Sequence, residues 1–224
     1  MGFARVEERP VTILEEGTIS FYYRPRVETQ QPEELGDVQR ILAVLTPADE
    51  SRFRLLAMGR KQLPTRGRRE RFWGFVDAVL HDHRDMDALL AAHTYNTKTR
   101  GLRHLPAAKL VAIGSYTLTS HDDHSHLEYT LHENVWRDPV VREIAIESSA
   151  SWIVSVANPD PTAWGLVEVP PLQQQLFGEE EVHITIPTPF PPELQTRFRD
   201  RRYAQLDTVE WLDHPGAELV FISE

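Results

Sequence analysis

Cysteine is absent from all 224 residues, which excludes disulfides, thiolate metal sites and a cysteine nucleophile. A reducing cytoplasm fits that composition. No apolar run approaches the ~20 residues that a membrane-spanning helix needs, so a membrane is not among the partners the sequence predicts. In MGFARVEERPVTILEEG, acidic residues stand where a signal peptide would have its apolar core. The expectation is therefore a cytoplasmic protein without an export signal. Glycine-rich phosphate loops, RNP, KH and zinc-finger patterns are missing. So is the G-x-S-x-G elbow of serine hydrolases, and the acidic stretch His81–Asp87 lacks the glycine of an EF-hand loop.

What is present is an ordinary folding composition, 41% apolar and 26% charged, too apolar for a disordered chain. Net charge is −10, but its placement is uneven. Between Arg52 and Lys109 there are 13 Lys and Arg against 5 Asp and Glu, a local +8. A basic segment inside an acidic protein points to a surface that faces an anion.

Alternation in 11–27, where Ile19, Phe21 and Tyr23 interleave with Thr18, Ser20 and Tyr22, predicts strand, turn at Gly17, and strand. Residues 38–46 and 52–63 are apolar strand candidates. The period then changes. Phe72, Phe75, Val76, Val79 and Leu80 follow i, i+3, i+4, i+7, i+8 spacing, which predicts an amphipathic helix over 68–81. A second short helix is expected from Met86 to His93, followed by a polar, basic connection over 94–109. GSYTLTS and HSHLEYTL around Asp122-Asp123 predict a hairpin. Residues 140–157 suggest two strands broken at Ser148-Ser149, and AELVFIS a final one. Nine of the 16 prolines lie between Pro159 and Pro215, so the C-terminal part is expected to wind over a surface, with PPELQTRFRDRR as a helix. The predicted fold class is α+β with mainly antiparallel sheet. Two β-rich units, 1–109 and 110–224, flank the short helical segment, and the two could form one compact domain.

Two residue groups carry candidate chemistry. Arg60, Lys61, Arg66, Arg68, Arg69 and Arg71 fall within twelve positions, and Lys98, Arg100 and Arg103 follow. Clustered guanidinium groups bind phosphate in bidentate fashion and gain affinity by counterion release. Arg66, Arg68, Arg69 and Arg71 lie at or just before the start of the predicted helix, where they would oppose its dipole unless an anion were bound there. The second group is HDDHSHLEY. His124 and His126 form an H-x-H pair at a loop–strand junction, and Glu128 supplies a carboxylate. His121 or Asp122 could complete the set. Imidazole and carboxylate donors suit a divalent metal such as zinc, iron or manganese. Arg24 and Arg26 in YRPRV are a further pair, a ligand clamp or a solvated strand end.

The segments YRPRV, GRKQLP with ERFWGFVD, TKTRGLRHLPAA and HSHL resemble an uncharacterised family of bacterial proteins, over roughly residues 10–160. The resemblance implies a bacterial cytoplasmic protein and brings no catalytic residues with it. Three readings stand open from sequence. The first is a non-enzymatic binding or regulatory protein whose Arg-rich surface meets nucleic acid or a phosphate-bearing ligand. The second is a metal-dependent enzyme built on the His-rich hairpin. The third is a protein–protein interaction module using the Pro-rich region.

Overall fold

A computed structural model describes residues 11–64, 67–134, 138–165 and 189–224. Its frame is one antiparallel sheet that closes on itself. The strands are β1 (Thr12–Pro25), β2 (Val38–Pro47), β3 (Phe53–Met58), β4 (Arg71–Leu80), β7 (Lys109–Ser120), β8 (Ser125–Asn134), β9 (Ser149–Ala157) and β11 (Glu218–Ser223). Their order is β9-β11-β4-β3-β2-β1-β7-β8, and β8 pairs again with β9 to complete an eight-stranded barrel. The short β10 (Tyr203–Gln205) pairs with the end of β9. β5 (His93–Thr97) and β6 (Gly101–Leu105) form a separate two-stranded ribbon. Strands from either side of residue 110 interleave, β1 with β7 and β4 with β11. No helix among the described residues is long and apolar enough to cross a membrane.

The α+β expectation is therefore corrected to a mainly antiparallel β-barrel. Its described α-helices are short: α1 (His83–Leu90), α2 (Pro139–Ile144) and α3 (Pro192–Gln195). The largest single correction is the helix predicted over 68–81, which is strand β4. A register shift between Leu55 and Leu56 places Ala78 and Val76 opposite them and leaves Asp77 as an extra residue. Before that bulge Phe72 and Val76 face the barrel interior, and after it Val79 does. Phe75 faces outward into a second apolar cluster. A strand covered on both faces, with one change of parity, thus mimics helical spacing. The 140–144 segment is α2 rather than strand, with Asp138 accepting from the Val140 N–H at 2.9 Å and Pro139 at its first position.

Eight strands enclose an interior that side chains can fill. Phe21, Phe72, Tyr129, Trp152 and Phe221 fill it here, with Phe72 stacked on Phe221 at 4.9 Å and edge-on to Trp152 at 5.2 Å. Val140, Val141 and Ile144 of α2, with Leu194, Phe198 and Trp211 of the C-terminal part, join the same cluster. On the outer surface, Leu42, Val44, Leu55, Ala57 and Phe75 are covered by Met86 and Leu90 of α1. This explains why β2 and β3 read as continuous apolar runs without alternation. Arg24, from the YRPRV motif, is buried in this layer. Its guanidinium donates to the carbonyls of Leu89 at 2.8 Å, Ala91 at 3.3 Å and Pro106 at 2.8 Å. It closes the C-terminal end of α1, where a cation complements the helix dipole, and is not a ligand clamp.

Two glycines permit the close strand approach. A Cβ on Gly17 would lie 2.1 Å from the Thr46 carbonyl oxygen, and one on Gly114 would lie 2.2 Å from that of Thr130. Backbone atoms on both sides leave little room to yield. Gly114→Ala is expected to lower stability by about 1–3 kcal/mol, measured by urea unfolding. A change within ~0.5 kcal/mol, the range of an ordinary surface substitution, would contradict this register.

Candidate metal centre

The β7–β8 turn is braced on several sides. The His121 N–H donates to the His124 carbonyl at 2.8 Å. The Gln205 side-chain amide on β10 lies 2.7 Å from the His121 carbonyl oxygen and 3.0 Å from that of His124. The Ser125 hydroxyl donates to the Leu206 carbonyl at 2.6 Å. The closed turn brings His121 back over the start of β8, where His126 points outward from the barrel.

The result is a cluster of three imidazoles. One ring nitrogen from each of His121, His124 and His126 lies within 4.8 Å of the others. The ring centroids are 4.7 to 5.0 Å apart. His126 is 8% exposed, and the other two are half-buried. Carboxylates stand behind the rings. Asp123 Oδ1 is 2.6 Å from His124 Nδ1, and Glu224 Oε2 is 3.2 Å from His126 Nδ1. The Ser151 hydroxyl is 3.0 Å from that same Nδ1. These contacts occupy Nδ1 of His124 and His126 and leave Nε2 of both for a ligand. A carboxylate behind a histidine fixes its tautomer and orientation and raises its basicity as a ligand.

Burial lowers the His126 pKa below its ordinary value. Glu224 opposes that shift, while His124 and His121 reinforce it. The ring is held neutral, the form that binds metal. Ligation at ~2.0–2.1 Å requires nitrogens roughly 3.3 Å apart, so the three rings would have to close from their present 4.8 Å span to hold one ion.

Of the predicted ligands, His124 and His126 come together, and His121 takes the place expected for Glu128. Glu128 shares the outward face of β8 with His126 but is exposed and lies opposite Thr117 and Ser151. Glu128 is not among the residues whose ligand atoms gather within 4.8 Å of one another, whereas the turn folds His121 back within reach of the other two rings. Ser151 and Glu224 escaped sequence reasoning because they lie 25 and 98 residues from His126 and share no spacing with it.

The nine predicted anion-binding cations separate into two places. Arg60, Lys61, Arg68 and Arg69 lie on the β3–β4 loop and Arg71 opens β4, so none stands at a helix N-terminus and the dipole argument lapses. Arg60 pairs with Glu70 at 2.5 Å and donates to the Arg71 carbonyl at 2.9 Å. Arg68 approaches Glu70 at 4.0 Å. The Lys61 amine pKa is lowered, first by burial and then by Arg26. Arg66 lies outside the described residues. Lys98, Arg100 and Arg103 belong to the β5–β6 ribbon, where Arg103 Nε is 3.5 Å from Glu28. Comparison of the chain with protein families, with curated proteins and with solved structures found no match.

Proposed function

We propose that the protein is a divalent-metal protein whose ion is held by His121, His124 and His126. The observation that carries this reading is the mutual approach of three imidazoles, two of them backed by carboxylates. Three neutral nitrogen donors suit zinc, iron(II) or manganese. Structural zinc sites are closed by a fourth protein ligand, and catalytic sites keep a position for water. His121 and His124 are partly open to solvent, which favours the second kind. A metal so held would lower the pKa of its bound water and supply a nucleophile near neutral pH. In that case the protein is a metal-dependent enzyme rather than a passive carrier.

The test is zinc titration by calorimetry on tag-free protein, with elemental analysis of the protein as purified. One equivalent of bound metal is expected. His126→Ala should weaken binding by more than 100-fold, and Glu224→Gln, which alters only the support behind the ring, by about 10-fold. Zinc at 100 times its Kd should stabilise the fold by about 2.7 kcal/mol. Sub-stoichiometric metal together with an unchanged Tm in excess zinc would overturn the reading.

A further inference from the structure

The β5–β6 ribbon pairs with none of the barrel strands. It is a separate two-stranded sheet joined in register from His93–Leu105 at its root to Thr97–Gly101 at its tip. Its root is fixed. The Glu28 N–H donates to the His104 carbonyl at 2.9 Å, the His104 N–H donates to Glu28 Oε1 at 2.9 Å, and Leu105 is buried. Its turn is also ordered, with Thr97 Oγ1 accepting from the Arg100 N–H at 3.0 Å. From root to tip, Thr94, Asn96, Lys98, Arg100 and Leu102 are exposed, while Tyr95, Thr97 and Arg103 are partly covered.

Strand alternation sorts the side chains of this arm. Tyr95, Arg103 and Leu105 share the face toward the body, while Thr94, Asn96, Leu102 and His104 share the other. Thr94, Asn96 and Leu102 are exposed, Leu102 at 71%. Lys98 and Arg100 are exposed at the tip. The chain carries 34 Asp and Glu, yet none occurs between Asp87 and Asp122, a stretch that holds Lys98, Arg100, Arg103 and Lys109.

We infer that this arm is a β-ribbon that docks in the major groove of double-stranded nucleic acid. Three features select that partner over other polyanions. A two-stranded ribbon has the width the major groove of B-DNA admits. The outward face bears hydrogen-bonding side chains, with Asn96 suited to the adenine edge, and one apolar side chain, Leu102, suited to the thymine methyl. The cations sit at the tip, where they meet phosphate on either wall of the groove. An anionic bilayer would favour an apolar tip flanked by cations, the reverse of the order here. The net charge of −10 disfavours approach of most of the molecule to a polyanion and leaves contact to its basic segments, of which the arm is one.

The test is fluorescence anisotropy with the full chain and a labelled mixed-sequence 20-base-pair DNA, from 25 to 200 mM salt. Wild-type protein should bind with an affinity that falls as salt rises. Lys98→Ala/Arg100→Ala should weaken binding roughly tenfold at low salt and reduce the log–log salt slope by about 1.8, for two lost phosphate contacts. Its Tm, measured alongside, separates lost DNA contact from lost folding. Arg60→Ala/Arg68→Ala on the β3–β4 loop should bind as wild type. Absence of salt-dependent binding by wild-type protein would overturn the inference. Equal affinity for phosphatidylserine vesicles, or loss of binding in the loop variant with retention in the arm variant, would also overturn it. Metal-free protein should bind DNA equally well, so failure here is distinguishable from failure of the metal reading.

Discussion

Urea unfolding of an Arg54→Met variant is expected to show a loss of about 3 kcal/mol relative to wild type. Arg54 lies on β3 with 0% of its surface exposed. Inside the barrel its Nη1 meets Glu15 Oε1 at 2.6 Å and its Nε meets Asp213 Oδ1 at 2.7 Å. Removing one partner of a buried ion pair costs about 3–5 kcal/mol, because a charge is left without its counterion in a medium that solvates it poorly. The lower end applies here because each carboxylate retains one donor. The Tyr116 hydroxyl donates to Glu15 at 2.6 Å, and Arg52 remains paired with Asp213. The Arg54 Nη2 has no acceptor among the described residues, so the substitution also relieves one unmet donor.

The triple variant Arg54→Met/Glu15→Gln/Asp213→Asn separates this account from a simple packing loss. With no buried charge remaining, it should recover part of the deficit, since buried ion networks are often no better than apolar replacements. If the triple variant were less stable than Arg54→Met, the cost would lie in lost hydrogen bonds and packing, not in stranded charge. The network has an architectural consequence. Glu15 is on β1, Arg54 on β3 and Asp213 on the 3-10 turn Val209–Asp213. The Arg54 side chain therefore ties the C-terminal part to the barrel wall across 159 residues of sequence.

That separation explains how much of the molecule was legible from sequence. The β7–β8 hairpin and β11 could be read, because alternation and turn residues are local signals. The interior positions Ile19, Phe21 and Tyr23 followed from the same alternation. Barrel closure could not be read, because β1–β7 and β4–β11 pairing joins segments about 100 residues or more apart, and no local pattern encodes such partners. β4 carries a helical spacing in sequence because covering both faces and inserting Asp77 erases its period of two. β5 and β6 carry the composition of a polar connection because a ribbon with little buried surface has no apolar alternation. The same division holds at the candidate site. His124 and His126 were adjacent enough to find, while Glu224 reaches the cluster only through the pairing of β11 with β9.

Trp152→Ala is expected to cost about 3–5 kcal/mol, the range for deleting a fully buried large aromatic. Trp152 is 1% exposed. Its ring meets Tyr129 of β8 at 5.1 Å, Phe72 of β4 at 5.2 Å, Phe221 of β11 at 5.7 Å and Phe21 of β1 at 6.4 Å. Residues from four other strands thus converge on one side chain, and these strands come from both ends of the sequence. Its loss opens a cavity that a closed barrel cannot collapse to fill, because each wall strand is held by hydrogen bonds to two neighbours. Trp152→Phe distinguishes the packing role from a polar one. The indole Nε1 reaches no acceptor among the described residues, so replacing it with phenyl removes a buried donor without breaking a bond. The smaller ring loses some contact, but relief of the unmet donor offsets about 1–3 kcal/mol. The Phe variant should therefore lie within ~1.5 kcal/mol of wild type in equilibrium urea unfolding. If Phe proved as costly as Ala, the packing of the whole indole, rather than the relief of its unmet donor, would set the cost.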